Sequence, residues 1–301
     1  MKKILICDGL HPDALEELNS ISDFDVTIKA GMDEEELLKT IPGYNAAVVR
    51  SATKIRKRVI DAASDLEIIV RAGIGLDNID VSDAEEAGIQ VANTPSATTI
   101  SVAEHTFGLM LDTVRNHGQA NLSMKAHKWE KKALKGTELF GKILGIIGSG
   151  RIGLAVAERA IAFGMKVIAF DIVDIKTDLD INQVSLEDLF IQADMISLHL
   201  PLTEKTKHMI SDDAFKQMKD GVIIINAARG GVVHEAALLR ALESGKVRAA
   251  GIDVYEKEPT DNFPLIDHPN VIAMPHIGAA AQEGQKRAGL EVIQALKKKF
   301  F

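Results

Sequence analysis

The chain has 301 residues, 46% of them apolar and 26% charged, and a formal net charge of -8. Such a length can hold two domains with separate cores, and the composition excludes fibrous and disordered classes. The acidic balance argues against nucleic acid as a partner, which would need clustered Lys and Arg, and no apolar run approaches the roughly 18 residues of a membrane span.

Short apolar runs alternate with helical patterns from the start. The first run, residues 4–7, is too short for a secretory signal, so a cytoplasmic location is expected. It contains the single cysteine, Cys7, which excludes an internal disulfide or a cysteine metal cage and reads as a buried small hydrophobe. Further runs at 24–28, 46–49, 68–70 and 89–92 are separated by amphipathic stretches at 11–20, 33–39 and 56–64. This alternation predicts parallel strands joined by crossover helices. After Asn93-Thr94-Pro95, residues 101–117 read as a helix apolar enough to be buried, either between domains or between subunits. A second alternating series places strands at 143–147, 167–170, 195–198, 222–225, 249–252 and 271–273. Residues 282–299 form a closing amphipathic helix, and Lys297-Lys298-Lys299 complement its dipole.

The run at 143–147 leads directly into Gly148-Ser149-Gly150-Arg151-Ile152-Gly153, and a helical pattern at 152–163 follows. Strand, glycine-rich turn and helix in that order make a dinucleotide fingerprint. Gly148 permits the tight turn, Gly150 lets the backbone approach a pyrophosphate, and Gly153 allows close helix–strand packing. Arg151 and Ile152 open the helix, whose N-terminus attracts phosphate. The next strand ends at Asp171, where a carboxylate can accept from ribose hydroxyls and repel a 2′-phosphate. NAD is therefore expected over NADP.

Three residues after later runs complete a hydride-transfer set: Arg229 in Asn226-Ala227-Ala228-Arg229-Gly230-Gly231, Glu258 just before Pro259, and His276 in Pro275-His276-Ile277-Gly278. A histidine exchanges protons near neutral pH, a carboxylate tunes it, and a guanidinium holds an anion. With the fingerprint they point to hydride transfer from a small hydroxy acid. Among the other histidines, His105, His117, His127 and His268 read as surface or helix-packing residues. His234-Glu235 reads as a helix start, because no second histidine stands four residues on to complete a zinc pair. No metal is expected.

Val49-Arg50-Ser51-Ala52-Thr53-Lys54, Arg71-Ala72-Gly73-Ile74-Gly75-Leu76-Asp77-Asn78 and Asn93-Thr94-Pro95 resemble motifs of the D-isomer-specific 2-hydroxyacid dehydrogenases. So do the fingerprint, His199-Leu200-Pro201-Leu202-Thr203, and the segments at 226–231, 251–259 and 275–279, in order along nearly the whole chain. The resemblance implies that His276 is the acid/base, that Glu258 rather than the nearby Glu256 pairs with it, and that Arg229 binds the substrate carboxylate. It also implies that Asp253 contacts the nicotinamide portion, while Leu200, Pro201, Ala227, Ala228, Gly278 and Ala279 join Arg229 and His276 along the cofactor groove. Arg50, Ser51, Arg71, Gly73, Ile74 and Gly75 are the expected substrate-binding residues, the Gly73–Gly75 loop presenting N–H groups to a carboxylate.

The implied fold is α/β with two doubly wound parallel-sheet domains. A Rossmann dinucleotide domain, residues 97–279, is inserted into a flavodoxin-like substrate domain built from 1–96 and 280–301. NAD and substrate would share the cleft between them, with closure expelling water. Arg50 and Arg71 exceed what a bare hydroxy acid needs, so a phosphorylated substrate is expected. The expected reaction oxidises 3-phospho-D-glycerate to 3-phosphohydroxypyruvate, the entry to serine synthesis. Reduction of hydroxypyruvate or glyoxylate is the alternative within the enzyme class, and an NAD(H)-sensing corepressor the alternative outside it. Lys131, beside Trp129, reads equally as a solvated lysine or as charge lent to a neighbouring subunit. A homodimer or higher homo-oligomer through the dinucleotide domain is expected. Because the chain stops just after its closing helix, no regulatory domain, and no serine inhibition through one, is expected.

Overall fold

The structure, a computed structural model, describes residues 1–301. In chain order its elements are β1 (Lys2–Ile6), α1 (Pro12–Asn19), β2 (Phe24–Ile28), α2 (Glu34–Thr40), β3 (Ala46–Val49), α3 (Lys57–Ala62), β4 (Ile68–Arg71), α4 (Val81–Glu86) and β5 (Gln90–Asn93). There follow α5 (Thr99–Arg115), α6 (His117–Lys125), β6 (Ile143–Ile147), α7 (Arg151–Ala162), β7 (Lys166–Phe170), β8 (Ile181–Gln183), α8 (Leu186–Gln192) and β9 (Met195–Leu198). The last are α9 (Asp212–Gln217), β10 (Val222–Asn226), α10 (Glu235–Glu243), β11 (Val247–Ile252), α11 (Phe263–Ile266), β12 (Val271–Ala273) and α12 (Gln282–Phe300). The chain divides into two compact units, Met1–Ser101 with Ala279–Phe301, and Val102–Gly278.

The first unit holds a five-stranded sheet in the order β2-β1-β3-β4-β5, every pair parallel. Its central strands carry unbroken apolar runs because both faces are covered: Ile4, Leu5, Ile6 and the whole of β3 are fully buried. On one face Ile4, Ile6 and Val48 pack with Ala14 and Leu18 of α1 and with Val292, Ile293 and Leu296 of α12. On the other, Leu5, Ala47 and Val49 pack with Leu37, Val59 and Ile60 of α2 and α3. α2 starts at Asp33, whose carboxylate accepts the Glu36 N–H at 2.8 Å, and three glutamates follow in the first turn, where the helix dipole favours them.

The second unit holds a seven-stranded parallel sheet in the order β12-β11-β10-β9-β6-β7-β8. The strand order reverses between β6 and β9, the arrangement of doubly wound nucleotide-binding sheets. The sequence pattern misses β8, a three-residue edge strand whose Asn182 and Gln183 are exposed and give no apolar run. It also runs one helix through Asn116. There the backbone turns left-handed, with φ 57°, ending α5 and starting α6. Asparagine tolerates that conformation, and Asp112 steadies the join by accepting the Gly118 N–H at 2.9 Å.

Candidate active site

Because every strand of the second unit is parallel, all its strand-end loops emerge at one sheet edge. Gly148 follows β6 with φ +95°, and a Cβ there would run into the His199 carbonyl after β9. The fingerprint turn is thus packed onto the neighbouring strand end at the switch point. A Cβ at Gly153 would strike the Gly148 carbonyl, whereas one at Gly150 meets nothing, leaving its approach open. Arg151 and Ile152 begin α7, whose first N–H groups have no intrahelical acceptor. The Ser149 hydroxyl is buried without a partner, a donor in place for a phosphate oxygen. After β7, Asp171 accepts the Ser149 N–H at 2.6 Å, so the carboxylate expected to meet a ribose also braces the turn. Leu200 and Pro201 follow β9, and Ala227 and Ala228 follow β10. These residues fit a dinucleotide.

Arg229, Glu258 and His276 come from the segments after β10, β11 and β12. Glu258 Oε2 lies 2.7 Å from Nδ1 of His276, and Glu258 Oε1 accepts the Tyr255 N–H at 3.1 Å. Burial alone would push the Glu258 carboxyl up, but the His276 and Tyr255 hydrogen bonds outweigh it and hold the group below its ordinary range. The hydrogen bond that His276 donates to Glu258 raises the His276 pKa against burial and against the positive charge of Arg229. His276 sits in the left-handed region at φ 56°, an unusual conformation for a residue with a side chain. Asp253, only 1% exposed, clamps it there by accepting the N–H groups of Ile277 at 2.8 Å and Gly278 at 2.7 Å. Asn226 braces Arg229 by donating to its carbonyl at 3.0 Å. Glu256 faces elsewhere, accepting the Glu235 N–H at 2.9 Å.

Residues 107–278 match the family model for the D-isomer specific 2-hydroxyacid dehydrogenase NAD-binding domain. The chain is 50% identical over 297 residues to a hydroxypyruvate reductase of Thermotoga maritima, covering 98% of this chain and 97% of that one. The chain belongs to the D-isomer-specific 2-hydroxyacid dehydrogenases. It is an NAD-dependent oxidoreductase of that family. A D-3-phosphoglycerate dehydrogenase of Methanocaldococcus jannaschii is 48% identical over 302 residues, and this chain spans 99% of its own length but only 57% of that relative's. Among solved structures, a D-lactate dehydrogenase from Aquifex aeolicus complexed with NAD and lactic acid aligns with TM-score 0.88 and 31% identity, covering 98% of this chain and 94% of the other.

In the dehydrogenase's first unit, Arg50 and Ser51 follow β3, and Arg71 ends the adjacent β4 in register with Val49. The buried Asp8, after β1, accepts the Arg50 N–H at 2.5 Å and the Thr53 hydroxyl at 2.9 Å. Asn78 donates to the carbonyls of Arg50 at 2.8 Å and Thr53 at 2.6 Å. Gly73 has φ +152°, and a Cβ there would collide with the Arg71 guanidinium. Its N–H donates to Arg71 O at 2.9 Å and closes the turn, so that N–H is engaged within the Gly73-Ile74-Gly75 loop. Asn93 holds the loop by donating to Ile74 O at 2.6 Å.

Three polar residues have contacts that the sequence did not lead one to expect. Asp8 follows a strand end, the same positional signal that marks Arg50. His105, expected as a surface or helix-packing residue, places Nε2 3.4 Å from Asp253 and lowers that carboxyl's pKa against its burial. His199 is half-buried, its Nε2 2.8 Å from the Ser197 hydroxyl, and desolvation of the ring pushes its pKa down to about 4.

Proposed function

We propose that the dehydrogenase oxidises 3-phospho-D-glycerate to 3-phosphohydroxypyruvate. His276 Nδ1 is engaged by Glu258, which leaves Nε2 to take the proton from the substrate C2 hydroxyl. Bound NAD supplies the acceptor for the hydride that leaves C2. Glu258 fixes the tautomer and stabilises the imidazolium once formed. Arg229 holds the substrate carboxylate and the C2 oxygen through charge-assisted bonds. Gly148, Gly150, Arg151, Ile152 and Gly153 hold the pyrophosphate; Asp171 meets the adenosine ribose and Asp253 the nicotinamide portion. Leu200, Pro201, Ala227, Ala228, Gly278 and Ala279 line the groove. Arg50, Ser51, Arg71, Ile74 and Gly75 bind the substrate's anionic groups, with Gly73 shaping the loop between Arg71 and Ile74.

The observation that carries the phosphorylated substrate is Arg50 and Arg71 at the ends of paired strands, with Arg50's backbone pinned by Asp8 and Asn78. Two arginines at neighbouring strand ends suit a dianion. Reduction of unphosphorylated hydroxypyruvate is the second reading, favoured by the 50% identity to a hydroxypyruvate reductase over nearly the whole of both chains. Initial rates on 3-phosphoglycerate, glycerate, hydroxypyruvate and glyoxylate separate them: preference for the 3-phosphate in kcat/KM is expected, and preference for hydroxypyruvate overturns it. In the same assay His276→Ala should lower turnover by roughly 10²–10⁴ while leaving NAD affinity within a few fold.

The second unit also exposes Leu122, Met124, Trp129 (80% exposed), Phe140 and Phe163. Exposed apolar side chains in that number support a homodimer through this unit, which light scattering after gel filtration tests.

A further inference from the structure

The second unit carries nitrogen and oxygen donors that hydride transfer does not use. His208 lies between β9 and α9, His234 is the N-cap of α10, and Glu256 follows β11. Each offers one ligand atom, and these atoms lie within 4.8 Å of one another. The two imidazoles stack with centroids 4.4 Å apart and planes at 30°, and His208 Nε2 is 3.3 Å from Glu256 Oε1. We propose that His208, His234 and Glu256 form a binding site for a divalent transition-metal cation of the zinc class.

The backbone brings these donors together from distant parts of the sequence. Ile210 and Val233 form an isolated parallel bridge, and the His208 N–H donates to Gly231 O at 2.7 Å while that of His234 donates to Ile210 O at 2.9 Å. The His234 ring makes no capping bond to α10, so it is not committed to that helix. Glu256 is aimed by a reciprocal pair: its N–H donates to Glu235 Oε1 at 2.6 Å, and its own Oε1 accepts the Glu235 N–H at 2.9 Å. Asn262 in turn donates to Glu235 Oε2 at 2.7 Å. Such outer partners orient a ligand before the ion arrives.

The donor chemistry selects the ion. Two imidazoles and one carboxylate match zinc sites with an open fourth position for water, whereas calcium and magnesium take oxygen ligands. Zinc bonds of about 2.0–2.1 Å in a tetrahedron put ligand atoms about 3.4 Å apart, so the cluster must draw in by roughly 1.4 Å at its widest. Side-chain rotation can supply that, since His208 and Glu256 are each 35% exposed and an ion can reach them. The N-terminus of α10 repels a cation, but Glu256 and Glu235 place two carboxylates at that same end.

The test titrates the tag-free, EDTA-treated, full-length protein with Zn²⁺ alone, against a competing chromogenic chelator. One equivalent is expected, with affinity reduced at least tenfold by His208→Ala, by His234→Ala and by Glu256→Gln, while His276→Ala leaves it unchanged. Unaltered NAD binding in His234→Ala shows that the variant is folded. Co²⁺ in place of Zn²⁺ should give the intense visible bands of a four-coordinate site, lost in His234→Ala. Wild-type binding no tighter than that of the His208→Ala/His234→Ala double variant, loss of binding with His276→Ala instead, or displacement by equimolar Mg²⁺ would each overturn the proposal.

Discussion

Glu258 raises the pKa of His276 through one hydrogen bond, and this gives its replacement a definite sign. Oxidation needs the neutral imidazole, so the acidic limb of its pH–rate profile follows the His276 pKa. Glu258→Gln removes the charge that favours the imidazolium, and that limb should move to lower pH. In reduction the imidazolium is the active form, so the alkaline limb should move the same way and activity at high pH should fall. A profile that stays in place in both directions would remove Glu258 from this role. Arg50 makes a cleaner probe of substrate, because its N–H and carbonyl are held by Asp8 and Asn78 independently of its side chain. Arg50→Leu should keep the loop and raise the KM for 3-phosphoglycerate about ten- to hundredfold, the loss of a charge-assisted pair worth on the order of 1.5–3 kcal/mol. Glycerate kinetics should barely change; equal damage to both substrates would make Arg50 structural. Arg229, Glu258 and His276 were legible because each sits beside glycine, proline or alanine after an apolar run. Their braces were not. Asp8, His105 and Asn78 act on groups remote in sequence, and no local pattern marks a partner that only the fold supplies.

At the scale of elements, the inner strands of both sheets were readable because burial on both faces gives them unbroken apolar runs, as in residues 222–225 of β10. β8 and the break at Asn116 escaped for opposite reasons. An edge strand needs no apolar run, and a single left-handed residue leaves the flanking helical pattern intact. The packing of α12 on α1 was equally invisible, yet it turns on one glycine. A Cβ at Gly289 would overlap the Cβ of Ala14. Alanine gains about 1 kcal/mol in helix propensity over glycine, whereas overpacking costs about 1–3 kcal/mol. Because α1 is pinned against its sheet by the fully buried Leu18, the steric cost should win. Gly289→Ala should therefore lower the urea midpoint by a net loss of up to about 2 kcal/mol. An unchanged or raised midpoint would mean that the two helices can separate at little cost.

At the scale of the whole molecule, the two compact units have cores of their own, and one of them is not continuous in the chain. Val292, Ile293 and Leu296 of α12, each at most 1% exposed, complete the apolar layer over β1, β3 and β4. Fragment 1–101 should consequently be digested rapidly by protease, and adding a peptide of residues 279–301 should protect it; protection of the fragment alone would show that the layer closes without the helix. Fragment 102–278, with an uninterrupted core, should resist unaided. The same discontinuity sets an order of events on the ribosome. A nascent chain normally folds from its leading end, but here the first 101 residues must wait until the whole of 102–278 has been translated. At about 5–20 residues per second the delay is roughly ten to forty seconds. Throughout it, β1 to β5 carry an uncovered apolar face, and this is the interval in which holdase chaperones would find their binding site on this polypeptide.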